Sequence, residues 1–194
     1  MRFETPWGQS TLVRFLSSNG DVVRVESPGH GGDGVRTDVS MPPALAGLGA
    51  TVGNWRWFEE DVAWAAVAVA FPALYQPEQV ELATSTLRDW FPDEYSAHFN
   101  VQLDAQSSRV LEQREWEQAT RGRFCVTAGF GSQFWDVPAG YVYACGFRAS
   151  DEAVAGFLVP EAEYTNPMRL ILDAFPRWEP NRTLPYLKAP ALVA

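Results

Sequence analysis

Lysine and isoleucine are almost missing from this chain. One Lys (Lys188) and one Ile (Ile171) stand against fourteen Arg, a skew that fits a GC-rich coding sequence better than any activity. Cysteine is scarce too. Cys125 and Cys145 are too few for a disulfide framework, and alone they make no structural zinc site. They read as free thiols on strands of one hairpin, near each other across its loop. No stretch of 18 apolar residues occurs, which excludes an ordinary transmembrane helix. Met1-Arg2-Phe3-Glu4-Thr5-Pro6 lacks the apolar centre of a signal peptide, so a cytoplasmic location is expected. Net positive charge is absent as well. The formal charge is −9, which argues against direct binding of nucleic acid. The acids are too dispersed for a mimic of DNA, with Glu59 to Asp61 as the longest run. No phosphate-binding loop and no Gly-x-Ser-x-Gly elbow is found, and no cofactor is expected.

What is present is a globular composition. The chain has 194 residues and is 46% apolar, enough for one domain with a full core. Eight Trp and twelve Phe exceed what a core of this size requires, so some are expected on a binding face. Strands are predicted over Thr11–Leu16 and Asp21–Glu26, joined at Asn19-Gly20, a hairpin signal that relies on positive φ. A Gly-rich loop, Ser27 to Gly34, and a short strand from Val35 to Val39 follow. Pro42-Pro43 opens a helical turn.

The middle reads as helical. Glu59–Phe71 is predicted as a buried helix that makes Trp64 a fully packed core residue. Pro77 and Pro92 each start a further helix, and a polar one runs from about Gln106 to Thr120. Strands return at Arg123–Gly131, Tyr141–Phe147, Val154–Val159 and Leu170–Leu172. This order predicts an α+β domain with a mostly antiparallel sheet over residues 1–174. A Pro-rich arm without a core is predicted over residues 175–194.

Two groups of side chains carry candidate chemistry. His30, in Gly29-His30-Gly31-Gly32, has the character of a general base or metal ligand. Glu59, Glu60 and Asp61 could supply paired carboxylates or metal ligands beside it. The structural alternative is a turn histidine and acids that offset a helix dipole. Trp135 in a hairpin loop, with Trp178 and Tyr186 in the arm, are the candidate binding residues. Loop-borne rings are costly to expose unless something covers them.

Four islands are similar to an uncharacterised family of bacterial, plasmid and phage proteins known as a domain of unknown function. They are Thr5-Pro6-Trp7-Gly8; Gly29-His30-Gly31-Gly32 with Met41 to Leu45; Trp57-Phe58-Glu59-Glu60-Asp61 to Trp64 with Ala70-Phe71-Pro72; and Phe157 to Tyr164. The resemblance spans most of residues 5–164 and brings no catalytic residues. It implies a mobile-element setting, in which small acidic proteins often bind a host protein. The leading expectation is an inhibitor of a host defence protein, for example of a CRISPR system. The alternative is a small hydrolase or metal-dependent enzyme using His30 with Glu59, Glu60 or Asp61.

Overall fold

The computed structural model describes residues 2–185 and Leu187. The fold class is α+β and every strand pairing is antiparallel. The residues group into two compact units, Met1–Arg114 and Glu115–Ala194.

In the first unit a small hairpin, β1 (Glu4–Thr5) and β2 (Gly8–Gln9), precedes a five-stranded sheet. The sheet is built from β3 (Leu12–Phe15), β4 (Val22–Glu26), β5 (Gly31–Arg36), β6 (Ala50–Val52) and β7 (Trp55–Glu59), in the order β3-β4-β5-β7-β6. The β3–β4 turn reaches positive φ at Gly20 alone. Asn19 instead accepts the Asp21 backbone N–H on its side chain.

Two expectations fail in this sheet. The second half of the glycine loop is strand: Gly31 to Gly34 are buried in the central strand β5, while Ser27 to His30 form the bend before it. Close packing explains the composition: a Cβ on Gly34 would enter the Trp57 ring, and one on Gly32 would enter the Phe58 carbonyl and the Trp7 ring. The acids Glu59 to Asp61 do not begin a helix. Glu59 ends β7, whose alternating aromatics fit a pleated surface better than a helical turn. Helix α2 spans only Trp64–Ala70 and has no acid in its first turn.

The central strands β4, β5 and β7 are packed on both faces. On one face Val22, Val35 and Phe58 pack with Ala65, Ala66, Val67 and Ala68 of α2 and with Leu45 of α1 (Pro43–Ala46). Ala83 and Leu87 of α3 (Pro77–Trp90) complete that core. On the other face Phe3, Val23, Val25 and Trp57 pack with Trp7 and Trp55. Trp64 is half-buried, so the fully packed aromatics are Trp57 and Phe58 in its place. Helix α3 starts with Pro77 inside a reciprocal Gln76/Gln79 cap. Helix α4 (Pro92–Phe99) follows, and α5 (Arg109–Thr120) continues past the limit of the first unit.

The second unit is a three-stranded sheet of β8 (Cys125–Phe130), β9 (Tyr141–Arg148) and β10 (Ala153–Pro160), in the order β10-β9-β8. Its core is Phe124, Ala144, Phe157, Val159 and Leu172. The β8–β9 register sets Cys125 opposite Phe147 and, past a bulge between Val126 and Ala128, Cys145 opposite Ala128, so the two thiols do not face each other. Leu170–Leu172 contributes one bridge, Cys125 to Ile171, and not a strand.

The arm is no loose extension. Leu158 donates to the Pro176 carbonyl and Trp178 donates to the Gly156 carbonyl, each at 3.1 Å, along the outer edge of β10. Arg177 lies over the rings of Phe124 and Phe157 at 4.1 and 4.4 Å. The described part of the arm therefore helps to close the core of the second unit. Among the described residues no helix is long and apolar enough to cross a membrane.

Candidate functional site

The most constrained polar group in the first unit sits on its central strand. Asp33 is fully buried, and a lone buried carboxylate is costly. Three donors surround it. Arg24 gives Nε at 2.7 Å and Nη2 at 2.8 Å, and the Tyr75 hydroxyl donates at 2.6 Å. Arg24 faces Asp33 directly across the β4–β5 pair. Tyr75 arrives from the turn after α2, and its ring lies 5.8 Å from the Arg24 guanidinium. The bond to Asp33 raises the pKa of Arg24. Burial, then the Asp33 charge, holds the Tyr75 phenol well above its ordinary range.

A cleft of about 240 Å³ opens beside this network, lined by Arg24, Gly32, Glu60, Trp64, Gln79 and Leu82 among others. Trp64 packs at 6.3 Å from Tyr75 and forms an aromatic wall. Glu60 reaches the cleft because its carboxylate lies where a side chain on Gly31 would stand. The Glu60 N–H also donates to the Gly31 carbonyl at 3.1 Å.

Of the predicted acid group, then, Glu60 alone lines the cleft. The Glu59 carboxylate accepts the Asp61 N–H at 2.8 Å and so closes its own turn. Asp61 is exposed. His30 is exposed too, and its backbone exchanges hydrogen bonds with Ser27. Among the described residues no hydrogen bond or ion pair joins His30 to Glu59, Glu60 or Asp61. No group of three or more His, Cys, Asp or Glu there is placed to hold a metal ion. Sequence reasoning passed over Arg24, Asp33, Tyr75 and Gln79. The only available signal was a charged residue between glycines, in a segment that reads as a loop.

The second unit carries an aromatic group. Trp135 has φ +38°, a left-handed conformation that a bulky residue rarely adopts. Its ring is half-buried, 5.7 Å from Phe130 and 6.5 Å from Tyr143, with the Arg182 guanidinium at 5.6 Å. Trp178 is half-buried and meets Tyr143 edge-on at 5.6 Å. Glu179 ties this end of the arm down by accepting from the Tyr143 hydroxyl at 3.0 Å and from the Gly156 N–H at 2.9 Å. The Tyr143 phenol is pushed up to about 12, chiefly by burial. Tyr186, the third ring expected here, lies outside the described residues.

Neither the curated proteins nor the solved structures contain a match to this chain. A family match covers residues 1–121, which take in the central sheet and the cleft, while the island from Phe157 to Tyr164 falls beyond it. The chain belongs to the family described as Domain of unknown function (DUF7007).

Proposed function

We propose that this protein acts by binding another protein through the aromatic group of its second unit. In the mobile-element setting that the four sequence islands imply, the partner is a host defence protein, for example an effector of a CRISPR system. The observation that carries the reading is Trp135. A left-handed Trp on a loop costs about 1–3 kcal/mol, and such strain is typically kept where a side chain must be presented. Trp, Tyr and Arg are the residue types that concentrate binding energy at interfaces. Here Trp135 and the exposed Arg182 stand together over the buried Tyr143 ring, with Trp178 beside them. A half-buried ring held by its neighbours is also pre-ordered, which lowers the entropy lost on binding.

The test is affinity capture from a bacterial lysate with the full chain and with Trp135→Ala. The expected result is capture of a defence-system protein by the parent chain and at least tenfold weaker capture by the variant, with its melting temperature nearly unchanged. Equal capture by both chains would place the interface elsewhere.

A further inference from the structure

We infer that the cleft of the first unit binds a free α-amino acid with an apolar side chain. The basis is a pair of opposite charges that line one small cavity without meeting. Arg24 and Glu60 both line it, yet no ion pair joins them among the described residues. Asp33 engages only Nε and Nη2 of Arg24, which leaves Nη1 for a ligand carboxylate. The bidentate contact with buried Asp33, itself held by Tyr75, fixes the guanidinium plane, so little freedom is lost when a ligand pairs with it. Glu60 is exposed at the mouth of the cleft, and its carboxylate makes no ion pair or hydrogen bond of its own among the described residues. It is placed to receive an ammonium group.

The walls select the rest of the ligand. Trp64 is half-buried and Leu82 is 57% exposed, so an apolar side chain entering the cleft would cover both. Gln79 adds the donor of its side-chain amide, its oxygen being held by the Gln76 N–H at 3.1 Å. A volume of about 240 Å³ is below the range of drug-sized ligands, roughly 300–1,000 Å³. Phosphorylated ligands are disfavoured, because Glu26 and Glu60 would repel a dianion, whereas a zwitterionic amino acid enters without net charge. Gly31 has a specific part. Any side chain there would displace the Glu60 carboxylate from the cleft.

The experiment is calorimetric titration of the full chain with L-leucine and with its two halves, 3-methylbutylamine and 4-methylpentanoate. Leucine should bind, and each half should bind at least tenfold more weakly, since each forfeits one charge contact. Glu60→Gln should weaken leucine at least tenfold while the melting temperature holds. Amine binding equal to that of leucine would overturn the inference, because Arg24 would then have no role. So would the absence of any leucine heat at millimolar concentration, or an undiminished affinity in Glu60→Gln.

Discussion

Asp33 organises the polar part of the first unit's core. It is buried with three donors aimed at it. Asp33→Ala leaves the Arg24 charge without its counter-ion, and the expected loss is about 3–5 kcal/mol in denaturant unfolding. Tyr75 gives a cleaner readout. Its folded pKa is raised, so the unfolded chain loses the phenolic proton first as pH rises. The stabilisation is therefore complete below about pH 10, the unfolded value, and declines above it. Each such group contributes a slope of at most about 1.4 kcal/mol per pH unit. Unfolding measured between pH 9 and 11 should show a shallower decline for Tyr75→Phe than for the parent; an identical decline would mean that Tyr75 ionises freely in the fold. Phe58 is the matching apolar case. It is fully buried, and Phe58→Ala should cost about 3–5 kcal/mol.

Elements differ in how plainly their residues announce them. Helices α3 and α4 begin at Pro77 and Pro92, where proline's fixed φ suits a first turn, and both are readable from that alone. The strands β9 and β10 carry apolar runs bounded by turns and are readable too. Strand β5 is not. Its glycines look like a loop until the rings of Trp7 and Trp57, distant in sequence, are laid over them. The Glu59 segment misleads for a related reason: pairing of β7 with β5 outweighs the helical signal of its acids. The cleft network was hidden because Tyr75 lies 42 residues from Asp33, and no local pattern encodes such a meeting. The arm was half-readable. Its prolines do exclude a core of its own, but Pro176 still offers a carbonyl to the edge of β10. Truncation after Asp173 removes Arg177 from the rings of Phe124 and Phe157 and removes both Glu179 bonds. Such a chain should melt well below the parent. An unchanged melting temperature would mean that the arm contributes nothing to the core.

At the scale of the whole molecule, the two units differ in charge as well as in fold. Residues 1–114 hold 15 of the 24 acids but only 8 of the 15 bases. The acidic character of the chain thus belongs mostly to the first unit, and the aromatic group proposed as an interface belongs to the second. The family match ends at residue 121, close to the limit of the first unit. A chain of residues 1–121 should therefore fold alone and show dispersed amide resonances; a collapsed spectrum would mean that the first unit needs the second. One feature of that unit offers a way to watch it optically. Trp55 and Trp57 are stacked at 5.7 Å with planes 28° apart, and Trp7 stands 6.4 Å from Trp57. Indoles this close couple their electronic transitions, so the sheet should print an exciton couplet in the circular dichroism spectrum. That band would report the packing of the β1–β2 turn, which carries Trp7, against β7 without any label, and it would vanish in Trp57→Phe while the fluorescence of Trp135 and Trp178 persists.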